Sequence, residues 1–161
     1  MVIRFVLGVL AVIGFVCSLA VHLAARRGVP VQDVTPLFWV LHLGIFVVFV
    51  PALIHLRRDS SLSGPLSLFR GFPPPVGLVL MALFIYALLN FFTAMSSLRT
   101  GTAGMRGDKF VFSKGRVATE ITREQYQTAR AVEARLFSGH WLLFYAIPAA
   151  AFLCRRSDDE A

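Results

Sequence analysis

The chain alternates between long apolar blocks and short polar gaps. Four blocks stand out, at residues 2–24, 37–56, 76–98 and 136–154. At about 1.5 Å per residue, each helical block matches a hydrocarbon core of about 30 Å. The first carries Arg4 and His22 in an otherwise uncharged run and is followed by Arg26-Arg27. It is too long for the apolar region of a cleaved signal peptide and has a stop-transfer flank, so it reads as a retained span. Gly14, Ser18 and His22 recur every fourth residue and share one face, where small residues let a neighbouring helix approach. Residues 28–35 read as a short connection. Pro36 suits the first turn of the second helix; Trp39 sits there as an interface anchor, and Pro51 predicts a kink. Residues 57–72 read as a polar loop ended by three prolines. In the third block Ala87, Asn90, Ala94 and Ser97 form a small, polar stripe expected to face inward.

Residues 99–135 are the only sizeable polar insertion. Residues 100–107 are glycine-rich and read as a mobile stretch. Lys109-Phe-Val-Phe and Arg116-Val-Ala-Thr-Glu-Ile alternate on either side of Ser113-Lys114-Gly115, which predicts a β-hairpin. Thr122-Arg-Glu-Gln125 has the spacing of a capping box. Tyr126, Ala129, Val132 and Leu136 then form the apolar stripe of an amphipathic helix, with Arg123, Glu124, Arg130 and Glu133 on the remaining positions. That helix is expected to run on into the fourth span, with a bend at Ser138-Gly139. The pattern predicts an all-α membrane protein: a single domain, a four-transmembrane-helix bundle with a small extramembrane β-hairpin plus amphipathic helix between spans three and four.

Composition agrees. Hydrophobic residues make up 57% of the chain and charged residues 16%, far from the balance of a soluble domain. The net charge of +7 comes from arginines that flank the apolar blocks, where anionic headgroups attract them. These residues are not interleaved with aromatics on one soluble face, so no nucleic-acid partner is expected. Cys17 and Cys154 lack Cys-x-x-Cys spacing and read as apolar fillers. Orientation is less decided by sequence. One side carries Arg4, Arg57, Arg58, Arg70, Arg155 and Arg156; the other carries Arg26, Arg27 and eight basic residues in the long insertion. Folded segments away from the span ends count less in the positive-inside rule, which places both termini in the cytoplasm.

Polar groups inside a bundle are costly and mark candidate sites. His22, His42, Asn90 and His140 all fall in the membrane half that adjoins the insertion, with Trp39, Trp141 and Tyr145 at similar depth. Three readings stay open at this point. The polar groups hydrogen-bond between helices; or His22, His42, Asn90, His140, Trp141 and Tyr145 line a pocket for a lipid, quinone or similar amphiphile; or His42 pairs with His22 or His140 as axial ligands of haem b. His42 and His55 are no two-haem pair, because thirteen helical steps of about 100° leave them about 140° apart. No metal site is expected: His-x-x-x-His is absent and no carboxylate lies within a span. Ser138-Gly139-His140 lacks an acidic orienter, and adjacent helical residues do not face each other, so no catalytic residue is assigned.

The run Arg135-Leu-Phe-Ser-Gly-His-Trp-Leu-Leu-Phe-Tyr145, following Ile121-Thr-Arg-Glu-Gln-Tyr126 and the Lys-Phe-Val-Phe/Gly-Arg-Val hairpin, resembles small bacterial inner-membrane proteins. The similarity is strongest over residues 108–145 and echoes weakly over residues 41–51. It implies a bacterial four-span architecture and brings no activity with it. The expectation is therefore a non-enzymatic structural or partner-binding component in the bilayer, contacting a protein partner or a second copy through residues 108–135. The alternative is a small redox or amphiphile-binding protein.

Overall fold

The computed structural model describes residues 2–58, 72–98 and 101–154. The elements are α1 (Val2–Arg26), α2 (Val31–Val34), α3 (Leu37–Arg58), α4 (Pro74–Leu98), β1 (Thr102–Arg106), β2 (Lys109–Lys114), β3 (Val117–Glu120) and α5 (Arg123–Leu153). The helices α1, α3, α4 and α5 are long and apolar enough to cross a membrane, which supports a membrane protein. Most of the loop expected over residues 57–72, and the tail with Arg155 and Arg156, lie outside the described residues.

The distribution of side-chain size reverses that of a soluble bundle. Along α1, Gly8, Ala11, Gly14 and Ser18 are buried, whereas Phe5, Val9, Ile13 and Val16 are exposed. Small residues bring backbones together, and bulky apolar ones are left outside for a non-aqueous surround. The hub is α5. Half of its most apolar stretch is buried, against 17–22% in the other three; α1, α3 and α4 all pack on it, and α1 also meets α3. Two cores result. One joins α1, α3 and α5 through Ala11, Val21, Phe38, Leu41, Trp141 and Tyr145. The other joins α3, α4 and α5 through Ala52, Leu56, Leu80, Ala150 and Ala151.

Tyr145 shows how close this packing is. Its hydroxyl donates to the Leu41 carbonyl at 2.7 Å. Its ring lies where a side chain on Gly14 would go, and its hydroxyl lies 2.6 Å from the Cβ position of Gly44. Glycine is required at Gly14 and Gly44 for that reason alone.

Beyond the apolar core the structure corrects the sequence reading in three ways. The sheet has three antiparallel strands in the order β1-β2-β3, where one hairpin was expected. Residues 102–106, read as part of a mobile stretch, form β1, with Ala103 opposite Phe112 and Met105 opposite Phe110. The cause is a second two-residue turn, Gly107-Asp108, in which Gly107 takes φ 60°, matching Gly115 (φ 60°) between β2 and β3. Second, α5 starts at the expected capping box, with Gln125 N–H donating to Thr122 Oγ1 (3.2 Å) and Thr122 N–H to Gln125 Oε1 (2.9 Å). It then runs unbroken to Leu153 through Ser138-Gly139. Third, the short connection contains α2.

The buried face of the first part of α5 also differs from expectation. Tyr126, Ala129, Val132 and Leu136 are only partly covered, while Ala131, Glu133 and Ala134 are buried. Glu133 tolerates burial because both its oxygens are used: Oε1 accepts the outward N–H of Ala103 on β1 (3.2 Å), and Oε2 accepts Arg130 Nη1 (2.6 Å). Arg130 also grips Asp33 of α2 through Nη2 at 2.6 Å, Tyr126 donates to the same carboxylate at 3.0 Å, and Gln32 donates to the Arg130 carbonyl at 2.6 Å. Burial would lower the Arg130 pKa, but its bonds to Asp33 and Glu133 outweigh that and raise it. Arg130 and Glu133, read as a solvated face, thus tie α2 and the sheet to α5.

In the third span Ala87, Asn90 and Ala94 are buried as expected, but Ser97 is exposed. Its hydroxyl donates back to the Thr93 carbonyl at 2.9 Å, and Leu98 is buried in its place.

Candidate functional site

The polar residues singled out from the sequence divide into two groups on opposite sides of α5. On the α1–α4 side, His22 Nδ1 meets Ser138 Oγ at 2.9 Å and His22 Nε2 bonds the Tyr86 hydroxyl. Arg26 Nη1 donates to the same hydroxyl at 3.3 Å. Ser138 Oγ lies 2.7 Å from the Ala134 carbonyl, to which its single hydrogen goes. Proton positions follow from this order. Ser138 donates to the carbonyl, so His22 Nδ1 carries hydrogen and donates to Ser138; Nε2 then accepts from Tyr86, whose oxygen accepts from Arg26. One turn along, Asn90 Nδ2 donates to the Arg135 carbonyl at 3.0 Å. Asn90 fills the space that a side chain on Gly139 would occupy.

The second group faces α3. The His42 ring stands edge-on to Trp39, Phe137 and Trp141 at centroid distances of 6.4, 5.6 and 5.9 Å. Its Nδ1 is buried without a hydrogen-bond partner among the described residues. Trp141 is fully enclosed at 1% exposure and stacks edge-on to Phe38. His140 belongs to neither group. Its Nδ1 bonds the Leu136 carbonyl of its own helix at 2.8 Å, and its ring meets Phe91 of α4. His55 is half-buried, bonded to Arg4 Nη2 at 2.8 Å and stacked on Phe152.

This arrangement restricts the chemistry. The chain Arg26–Tyr86–His22–Ser138 begins on a guanidinium that stays protonated and ends on a backbone carbonyl. It orients four side chains and offers no route for a proton. His22 has both ring nitrogens hydrogen-bonded in this arrangement. No cluster of three metal-ligating side chains occurs among the described residues. A cavity of about 410 Å³ lies between α1 and α4 over α5, lined by Val12, Phe15, Val79, Leu83, Ala146 and Ala149 among others. Its wall includes none of the six residues proposed from sequence. Tyr86, Arg26, Arg130 and Asp33 were not among those six. Tyr86 lies one residue from Ala87 of the small-residue stripe, but adjacent helical positions do not share a face, so nothing local marked it.

No protein-family profile, curated protein or solved structure matches the chain.

Proposed function

We propose that the chain is a multi-pass protein of the bacterial inner membrane, both termini cytoplasmic, that acts without enzymatic activity by presenting residues 101–135 to a protein partner. One observation carries this reading. The sheet has one covered edge and one open edge. Glu133 caps the outward N–H of Ala103 on β1, whereas all four residues of β3 are exposed. The register and the Ile121 N–H bond to the Phe110 carbonyl turn the N–H groups of Ala118 and Glu120 outward. An extended partner segment adds to such an edge by main-chain hydrogen bonds. The Arg130 network holds the module on α5, so the edge is presented in a fixed orientation.

Photo-crosslinking from Thr119 in cells tests this. A discrete protein adduct is expected, and Ala118→Pro should abolish it, because proline removes the outward donor but no bond to β2. Adducts with lipid alone, or adducts indifferent to Ala118→Pro, would refute it.

The cavity between α1 and α4 favours a second reading, in which an acyl or prenyl tail binds there. Lipid that copurifies with the wild type and is lost from Ala149→Phe would support it.

A further inference from the structure

The hydrogen-bonded chain leaves two cations uncompensated at its rim. Arg26 ends α1 and is exposed. Arg135 lies on α5 between the partners that face α4 and α1: its carbonyl accepts Asn90, and Ser138, one turn on, meets His22. Arg26 reaches the Tyr86 hydroxyl that bonds one nitrogen of His22, and Arg135 lies one turn before Ser138, which bonds the other. The ion pairs among the described residues are Lys109–Glu120, Arg130–Asp33 and Arg130–Glu133, so no carboxylate there neutralises Arg26 or Arg135. Arg135 Nε is moreover buried without a hydrogen-bond partner among the described residues. A part-buried guanidinium with no carboxylate beside it is costly, and because Arg135 as a residue is only partly buried, an anion at the outer part of its side chain offsets that charge.

Position and geometry name the anion. α1 ends at Arg26, and α5 leaves its apolar stretch at Arg135, so both groups lie at one boundary of the apolar belt, where lipid phosphates reside. The planar guanidinium fork matches paired phosphate oxygens. We propose that Arg26 and Arg135 form a binding site for a phosphate oxyanion at this boundary. Tyr86 is its positioning residue: it accepts one N–H of Arg26 and leaves the others for the ligand. The phosphate belongs either to an anionic lipid of that leaflet or to a free anion.

The test uses the full chain in detergent. Thermal unfolding is followed as phosphatidylglycerol is titrated into phosphatidylcholine micelles and, separately, as inorganic phosphate is added at constant ionic strength. A saturable rise in Tm is expected. Its midpoint should weaken about fivefold in Arg26→Gln and in Arg135→Gln, and less than twofold in Arg27→Gln, an exposed residue outside the cluster. Arg135→Lys should weaken it too, because charge remains but the fork is lost. Saturation by the lipid alone assigns a headgroup, and saturation by phosphate alone assigns a free anion; either supports the site. No saturable shift in either arm, or equal weakening by Arg27→Gln, overturns it. Should Arg135→Gln fail to fold, Arg26→Gln decides.

Discussion

Gly14→Ala is the most direct probe of the packing around α5. A Cβ at this position would stand 2.2, 2.4 and 2.7 Å from Cε1, Cδ1 and Cζ of Tyr145, well inside contact distance. The ring has little room to retreat, since its hydroxyl is bonded to Leu41 and close to Gly44. Overpacking of this kind costs about 1–3 kcal/mol. Loss of the hydroxyl bond adds about 1 kcal/mol, and replacing a helical glycine returns up to about 1 kcal/mol. The net expectation is a destabilisation of about 1–3 kcal/mol, read from reversible unfolding in mixed detergent micelles. Tyr145→Leu removes the obstructing ring, so the two changes together should cost at least about 1 kcal/mol less than their sum. A Gly14→Ala protein within about 0.5 kcal/mol of wild type, or strict additivity in the cycle, would refute the close contact.

Gly139→Leu should destabilise the α4–α5 contact in the same assay, because its Cβ would sit 2.2 Å from Asn90 Nδ2; unchanged stability would deny that approach. Ser18 is fully buried with its hydroxyl unpartnered among the described residues, so Ser18→Ala should hold or raise stability by up to about 1 kcal/mol, and a clear loss would reveal an uncounted bond. Arg130→Ala should cost about 1–3 kcal/mol, less than a fully enclosed pair, and speed hydrogen exchange at Ala103 and residues 31–34 while the apolar core stays protected. Tyr126 has its pKa raised above the usual 10, by burial first and then by its bond to Asp33. Its contribution is therefore fully present below pH 10 and is lost as pH rises through the higher folded value. Exchange at residues 31–34 should increase only above pH 10, and Tyr126→Phe should remove that dependence.

The spans were legible because length and apolarity are properties of a segment by itself. The stripe Gly14, Ser18 and His22 was legible for a similar reason: helical spacing says which residues share a face. What that face touches depends on other helices, so the meeting of His22 with Tyr86 had no local signature. Strand β1 was missed although Gly107-Asp108 repeats the Gly-Arg turn that follows β2; its residues Thr102, Ala103 and Gly104 have weak strand preference and gain their place from β2 and Glu133. Arg130 and Glu133 were misplaced on a solvated face because a charge pattern cannot show that a third group, here Asp33 on α2, completes the pairing.

The central position of α5 also has a consequence for biosynthesis. α1, α3 and α4 find most of their packing on a helix that is translated after all three. About 55 residues separate Leu98 from Leu153, and at about 5–20 residues per second the ribosome takes about 3–11 s to supply them. Through that interval three spans wait in or beside the insertion machinery with the faces that α5 will cover still open, among them Gly14 and Ser18 of α1 and Ala87 and Asn90 of α4. Assembly is thus timed by the arrival of the fourth, and a chain that stalls before Arg123 should be cleared by membrane proteases as an orphaned intermediate.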